Sequence, residues 1–211
     1  MAELNDHALA AGEVHVHRDD LGAKLGMWLF LFTELILFGG LFLVYAVYRY
    51  LHPQEFHLAA QELDTMVGTI NTIILLTSSL TVAMSITAIR EGKKYLSIAL
   101  VLLTIVLALA FLGNKYFEWA HKFEHGIYPR SPLMMEMPPG EILYFGLYFV
   151  MTGIHALHVI IGMAVLLFDV RFLWKGIVTQ ESYFRLEAGA LYWHLVDIIW
   201  IFLFPLFYLL H

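Results

Sequence analysis

Five apolar segments take up most of this chain, and each is longer than the roughly 18 residues that suffice to cross a bilayer. They predict spanning helices over residues 24–49, 64–90, 95–120, 141–173 and 187–210, after a polar tail over residues 1–22. Backbone polar groups must be paired inside lipid, so we expect an all-α integral membrane protein, a bundle of five transmembrane helices. The tail lacks the short apolar core of a cleavable signal, and we expect the first helix to be retained.

The composition excludes several classes of function. Hydrophobic residues make up 60% of the sequence, against about 45 to 50% in a typical soluble domain. There is no cysteine, which excludes disulfides, thiolate metal sites, iron–sulfur clusters and cysteine nucleophiles. No run of basic residues favours a nucleic-acid partner. Any chemistry must therefore come from the few polar side chains inside the apolar segments.

An acidic residue lies deep in the first predicted helix. Glu34 is ten residues beyond Lys24, which corresponds to a depth of roughly 15 Å at about 1.5 Å per residue. A lone carboxylate at that depth is unfavourable. We therefore expect Glu34 to be protonated or to have a polar partner in another helix.

Polar residues also recur on one side of the fourth and fifth predicted helices. Glu187, His194 and Asp197 are seven and then three residues apart, which puts them on one helix face. His155 and His158 share a stripe of the fourth helix. The predicted topology brings several of these residues to similar depths in the membrane. We predict an internal polar layer that contains Glu34, His155, His158, His194 and Asp197.

Two further patterns concern helix pairing. In the second predicted helix, spacings of seven, three and four residues form a polar stripe, which we interpret as hydrogen bonding between helices; its members are Asn71, Ser78, Thr81 and Ser85. In the third, Lys115 and Glu118 are three residues apart and are predicted to pair at the membrane edge.

The basic residues predict an orientation. Eight lie on the N-terminal side of the predicted topology: Arg18, Lys24, Arg90, Lys93, Lys94, Arg171, Lys175 and Arg185. Four lie on the other side: Arg49, Lys115, Lys122 and Arg130. Because cytoplasmic loops carry the excess of Lys and Arg, we expect a cytoplasmic N-terminus and a C-terminus on the outer face.

The residues by themselves leave three functions open. One is a b-type haem anchor, in which His155 or His158 would share the iron with His194, since two histidines of one helix cannot sandwich a haem. Another is a proton or ion carrier that uses Glu34, Asp197 and the histidines. The third is a cofactor-free subunit whose polar groups hold its helices together and bind lipid or a partner.

Two groups of metal-ligand side chains lie outside the apolar segments. We interpret the tail histidines as part of a solvated tail rather than a metal site; they are His7, His15 and His17. Thioethers favour Cu(I), but methionines in a mobile apolar contact surface are commoner, and we interpret the loop methionines in that way; they are Met134, Met135 and Met137. We therefore expect no metal site in this chain.

Four segments have a distinctive sequence. They are Gly26-Met27-Trp28 with Thr33-Glu34 and Phe38, then NTIILLTSS over residues 71–79, TGIHALHVIIG over residues 152–162 and YWHLVDIIW over residues 192–200. Together they resemble subunit III of the haem-copper terminal oxidases, which include cytochrome c oxidases and quinol oxidases. The resemblance extends over all five predicted helices.

The resemblance implies a non-catalytic subunit III of a proton-pumping terminal oxidase of the cytochrome c oxidase type, in the plasma membrane of a bacterium. Such a subunit has no cofactor of its own, because the haems and copper belong to the catalytic partner. It stabilises that subunit and supports proton uptake. The implied partners are subunit I as the main contact, subunit II, a small subunit IV and membrane phospholipid. Subunit III of a quinol oxidase or of a relative associated with nitric oxide reductase is the alternative, and a stand-alone carrier the more distant one.

Residue roles follow from the same resemblance. Glu34 matches the family's buried carboxyl that reacts with carbodiimides. The remaining polar residues would form the internal network and lipid contacts: His155, His158, Glu187, His194 and Asp197.

The chain departs from the family pattern at Lys115, where Gln or Glu is expected, and at Leu195, where Phe is usual. The two additional first helices of seven-helix members are missing, as in the short bacterial form, which puts the lipid cleft that they enclose in doubt.

Overall fold

The computed structural model describes residues 20–209, with side chains from residue 22 onward. This part of the chain is helical and contains no strand. Five helices in it are long and apolar enough to cross a membrane, and the predicted all-α membrane bundle is confirmed. The tail histidines His7, His15 and His17 and the end of the fifth predicted helix at residue 210 lie outside the described residues.

The spanning helices are connected by short turns and two short helices. The helices are α1 Asp20–Leu51, α2 Pro53–Ala60, α3 Thr65–Arg90, α4 Lys94–Glu124, α5 Pro132–Glu136, α6 Pro139–Trp174 and α7 Phe184–Phe204. A π-helical turn, Pro205–Leu209, continues α7. The five spans are α1, α3, α4, α6 and α7. Helix α1 begins four residues before its predicted start, and α4 ends four residues beyond its predicted end.

The loop predicted over residues 51–63 contains α2, which the sequence pattern did not predict because it has only eight residues. Pro53 stands in its first turn, where a missing N–H is tolerated, and Glu55 follows it there. Phe56, Ala59 and Ala60 are buried. Helix α2 packs on α6 and α1, so this segment covers one end of the bundle rather than running free in water.

Helix α7 lies in the middle of the bundle, in contact with α6, α3 and α1. It carries the two largest fully buried side chains of the described residues, Trp193 and Trp200. Helices α3 and α4 form a closely packed antiparallel pair, joined by a tight turn at Gly92, whose φ of +76° favours glycine. Helix α1 lies at the outside of the bundle, where it packs on α6 and α7 and also contacts α2.

The polar stripe of α3 makes contacts with its neighbours, as we interpreted it. The Trp193 indole Nε1 donates to the Ser78 hydroxyl at 3.0 Å. The Thr81 hydroxyl lies 2.8 Å from that of Thr104 in α4, and the Asn114 amide donates to Asn71 at 2.9 Å. These bonds replace water as partner for groups that lipid cannot satisfy.

The carbonyl groups of the π-helical turn accept hydrogen bonds from three other helices. Carbonyls at a helix end lack intrahelical partners, and Pro205 at the start of this turn has no N–H to offer. The Tyr45 hydroxyl of α1 donates to the Leu206 carbonyl at 2.5 Å. The Tyr144 hydroxyl of α6 donates to the Phe207 carbonyl at 2.7 Å. The Thr65 hydroxyl of α3 donates to the backbone carbonyl of Tyr208 at 3.2 Å. The turn is thereby tied to α1, α3 and α6.

Candidate functional site

The carboxyl group of Glu34 lies against a histidine of α6. Glu34 is the fifteenth residue of the 32-residue α1, close to its midpoint. Its Oε2 is 2.8 Å from Nε2 of His158. The two side chains are 15% and 11% exposed, so the pair is largely enclosed but lies close to the surface of the chain. The partner that the buried carboxyl required is therefore His158.

The hydrogen bonds of His158 show how many exchangeable protons the Glu34 carboxyl and the His158 ring hold together. Its Nδ1 is 2.8 Å from the Ile154 carbonyl, which only accepts, so Nδ1 must carry a proton. The 2.8 Å contact between Nε2 and the Glu34 carboxyl then contains one further proton, on either atom. In both arrangements the pair as a whole is neutral: a carboxylic acid beside imidazole, or a carboxylate beside imidazolium. It can thus hold a shared proton without net charge in the membrane.

His155 faces a different environment from His158. Three residues along a helix correspond to a rotation of about 300°, so the two rings are about 60° apart around α6. The His155 ring is fully buried, with the ring of Phe111 at 5.6 Å and that of Trp200 at 5.3 Å between centroids. Neither of its nitrogens has a hydrogen-bond partner in the described part of the chain. It does not contact Glu34.

The polar residues of α7 are also separated from Glu34. The His194 Nδ1 lies 2.6 Å from the Ser79 hydroxyl of α3. Asp197 is 3% exposed, and neither of its carboxyl oxygens has a hydrogen-bond partner within residues 20–209, although Ser79 is close by. Glu187 is half-buried in the first turn of α7. The residues of the predicted layer thus lie in separate groups, because α7 turns His194 towards α3 while α1 packs on the opposite side.

Lys115 and Glu118 pair as predicted, in a position that is buried within the chain. The Lys115 Nζ is 3.3 Å from both Glu118 carboxyl oxygens, and the side chains are only 4% and 7% exposed. The predicted third helix ended at residue 120, whereas α4 runs to Glu124, which places the pair deeper than expected. Their pairing is observed, and the pair lies further from the end of the helix than the predicted bounds placed it.

Two tyrosines complete this ion pair. The Lys115 ammonium donates to the hydroxyl groups of Tyr148 at 3.0 Å and Tyr208 at 2.8 Å. Both hydroxyl groups in turn donate to Oε1 of Glu118 at 2.5 Å. The Lys115 ammonium also lies 5.4 Å from the Trp200 ring centroid. The opposite charges and three aromatic rings form a compact, electrically neutral cluster between α4, α6 and the π-helical turn, which we call the Lys115 cluster.

Comparison of the sequence with known protein families identifies the family of this chain. The family model for cytochrome c oxidase subunit III matches residues 6–211. This chain belongs to the cytochrome c oxidase subunit III family. The family is a subunit of the haem-copper oxidases, which are oxidoreductase complexes, and the subunit without metal centres.

Individual subunit III relatives match along most of this chain. Cytochrome c oxidase subunit 3 of Synechocystis sp. is 32% identical over 209 residues, which cover 94% of this chain and 81% of the relative. Cytochrome bo(3) ubiquinol oxidase subunit 3 of Pseudomonas aeruginosa is 30% identical over 214 residues, covering 99% and 97%. The haem-copper oxidase subunit I+III of Aeropyrum pernix is 30% identical over 192 residues, covering 88% of this chain and 22% of the relative. The matches include both cytochrome c and quinol oxidases.

Sequence reasoning missed two residues of the Lys115 cluster in this subunit III chain. Tyr148 and Tyr208 are 30 and 90 residues from Glu118 along the chain, so no local spacing connects them. The charge of Lys115 was the available signal, because an ammonium group in an apolar segment needs hydrogen-bond acceptors near it. No group of three or more histidine, cysteine, aspartate or glutamate side chains forms a metal-binding arrangement within residues 20–209.

Proposed function

We propose that this chain is the non-catalytic subunit III of a proton-pumping terminal oxidase of the cytochrome c oxidase type, in a bacterial plasma membrane. In this role it stabilises the catalytic subunit and supports proton uptake. The haems and copper belong to the partner subunits, and the N-terminus with its polar tail lies in the cytoplasm. The family match over residues 6–211 supports the assignment to this complex.

The contact between Glu34 and His158 is the observation that carries the proton-uptake part of the proposal. The pair holds one shared proton at 2.8 Å near the middle of α1. Because the pair is neutral in either arrangement, the proton can move between the two side chains without a net charge appearing in lipid. A protonated carboxyl close to the lipid-facing surface is also the form that an apolar carbodiimide attacks.

The relatives support subunit I as the main partner. One matched protein is named haem-copper oxidase subunit I+III, and the match covers 22% of its length. A single polypeptide that carries both parts keeps them together, which favours a direct contact between the corresponding separate subunits. Subunit II and a small subunit IV complete the proposed complex. In this chain we assign the internal polar positions and the lipid contacts to residues that lie in separate groups: His155, His158, Glu187, His194 and Asp197.

Affinity purification in mild detergent tests the assignment to a complex. With a tag on this chain, we expect a twelve-helix haem-bearing subunit to co-purify, with haem absorbance in proportion to the tagged protein. Oxygen consumption with reduced cytochrome c, compared with a quinol, then identifies the electron donor. A chain that emerges alone would exclude the subunit assignment, and a Soret band in the separated chain would contradict its lack of a cofactor.

Carbodiimide labelling tests the role of Glu34. We expect an apolar carbodiimide to label the wild-type chain, and Glu34→Gln to remove the label without loss of the complex. The matched control is Glu136→Gln, which changes an exposed carboxylate outside the spans and should keep the label. Undiminished labelling of Glu34→Gln would show that the reactive carboxyl lies elsewhere.

The absence of cysteine makes the orientation testable. Single cysteines placed by Lys93→Cys and Glu136→Cys lie at opposite ends of the spanning helices. In intact cells, a membrane-impermeant thiol reagent should label the variant at residue 136 and spare the one at residue 93. The reverse pattern would invert the proposed topology.

A further inference from the structure

The middle of α7 carries a partly exposed histidine. His194 is the central residue of the 21-residue helix Phe184–Phe204, so it lies roughly 15 Å from either end. The hydrocarbon core of a bilayer is about 30 Å thick, which places the ring near the midplane. Lipid tails offer no hydrogen-bond partner there, and water and head groups are too far away. A polar atom of His194 that faces outwards therefore needs a partner from protein.

One nitrogen of the His194 ring is bonded inside the chain. Its Nδ1 lies 2.6 Å from the Ser79 hydroxyl of α3. The Asp197 carboxyl is close by but forms no hydrogen bond in the described part of the chain, so it does not accept the serine proton. The Ser79 hydroxyl then donates to Nδ1, and the neutral imidazole carries its own proton on Nε2. The Nε2–H group is therefore a hydrogen-bond donor.

This donor reaches the surface of the bundle without a partner. Within residues 22–209, Nε2 of His194 forms no hydrogen bond, and it is not enclosed by other atoms. Exposed hydroxyl groups in the spans differ in this respect. Thr33 donates to the Phe30 carbonyl at 2.7 Å and Thr77 to the Ile73 carbonyl at 2.8 Å. Those threonines are satisfied within their own helices, whereas Nε2 of His194 requires an acceptor from outside this part of the chain.

Apolar side chains lie on both sides of the exposed donor. Ile198 is one turn beyond His194 on the same face of α7 and is 46% exposed. Leu76 is one turn before Ser79 on α3 and is 48% exposed. We call these four residues the His194 surface. A second spanning helix fits such a surface, because it can pack on the apolar side chains and also pair the polar group.

We propose that the His194 surface binds a spanning helix of a partner subunit, and that this helix presents an acceptor oxygen to Nε2. The acceptor is a carboxyl, amide or hydroxyl oxygen of a side chain near the midplane of the membrane. The proposal rests on the assignment of this chain to an oxidase complex. It adds the face of the bundle, and the residue on that face, through which the complex is held together.

Photo-crosslinking in the native membrane identifies what covers the His194 surface. The tagged full-length chain carries a benzophenone amino acid in place of Ile198 and is irradiated before the membranes are dissolved. We expect a covalent product with a partner subunit, and peptide mass spectrometry should locate the linkage in a spanning helix that has an acceptor side chain. Products with lipid alone, products with a second copy of this chain, or no product at all would overturn the proposal.

Variants of His194 test the hydrogen bond in the purified complex. His194→Leu removes the donor, and we expect the partner subunit to dissociate about threefold faster in mild detergent, as for one hydrogen bond between spans. His194→Gln keeps an N–H group at about the position of Nε2 and should restore most of the lifetime. The matched control is Thr77→Val, because the Thr77 hydroxyl is bonded within α3. Equal dissociation rates of His194→Leu and Thr77→Val, or no recovery in His194→Gln, would refute the hydrogen bond.

The two experiments separate this proposal from the one on which it rests. If the tagged chain co-purifies with a haem-bearing subunit but residue 198 crosslinks only to lipid, the His194 surface is wrong and the subunit assignment stands. A tagged chain that emerges alone would exclude both.

Discussion

The ammonium group of Lys115 and the hydroxyl group of Tyr208 lie 2.8 Å apart, although the residues are 93 positions apart in sequence. Both also bond Glu118, which joins the interior of α4 to the last turn of the described chain. A buried charge is tolerated only when its partners are present, and here an acid and two hydroxyl groups supply them. The Lys115 cluster therefore couples the packing of the π-helical turn to this salt bridge, in addition to the hydrogen bonds that its carbonyl groups accept.

Removing one partner of this pair should be costly. Lys115→Met leaves the Glu118 charge buried without its cation, and we expect the free energy of unfolding to fall by about 3 to 5 kcal/mol. Adding Glu118→Gln removes the stranded charge and should recover most of that loss. Thermal unfolding of the detergent-solubilised protein, followed by near-ultraviolet circular dichroism, measures both. Losses that simply add in the double variant would show that the two charges do not depend on each other.

The π-helical turn should depend on the hydroxyl groups that it accepts. Tyr144→Phe leaves the Phe207 carbonyl unpaired in a fully buried position, and we expect a loss of about 1 to 3 kcal/mol. Amide hydrogen exchange over residues 206–209 should become faster in this variant. Tyr116→Phe is the matched control, because that side chain is 71% exposed. Identical exchange in the two variants would mean that the Tyr144 hydroxyl does not hold the turn.

Helices α6 and α7 approach closely at Gly162. A Cβ atom there would lie 2.8 Å from Cε3 of Trp193, closer than packed carbon atoms allow. We expect Gly162→Ala to destabilise the bundle by about 1 to 3 kcal/mol through overpacking. Gly146→Ala, in the same helix, meets no atom within 4 Å and should be neutral or stabilise by about 0.5 to 1 kcal/mol. Thermal unfolding compares them, and equal effects would exclude a packing role for Gly162.

The proton arrangement of Glu34 and His158 predicts unequal effects of two variants. Glu34→Gln can donate its amide N–H to the unprotonated Nε2 of His158, so stability should stay close to that of the wild type. His158→Leu leaves the Glu34 carboxyl without its partner, and we expect a loss of about 1 to 3 kcal/mol. Differential scanning of intrinsic fluorescence measures both. If Glu34→Gln destabilised as strongly, the pair would be the carboxylate beside imidazolium rather than the carboxylic acid beside imidazole.

The five spans and the depth of Glu34 could be predicted from sequence because both depend on local properties. Hydropathy over about 20 residues identifies a span, and the rise per residue gives the depth of a side chain within it. Periodicity also placed His155 and His158 on one stripe. Periodicity could not show which of the two histidines contacts Glu34. They differ by only about 60° around the helix, and this difference decides whether a ring contacts Glu34 or the Phe111 and Trp200 rings.

Contacts between distant segments escaped sequence reasoning. The depth of Lys115 depends on where α4 ends, and helix ends are the least certain part of a sequence-based assignment. The partners of Lys115 come from α6 and from the π-helical turn, whose backbone departs from the α-helical pattern at Pro205. Similarly, His194 faces Ser79 because α7 lies between α3 and α1. The spacing of residues within α7 does not indicate which neighbouring helix each of its faces contacts.

The π-helical turn also has a consequence for the order of events during synthesis. The carbonyl that accepts from Tyr45 belongs to Leu206, 161 residues later in the chain. At about 5 to 20 residues per second, a ribosome needs roughly 10 to 30 s to make that stretch. During this interval the C-terminal end of α1 lacks this hydrogen bond, because Leu206 has not yet been made. Helix α1 is therefore fixed at this end only after α2 to α7 have been made.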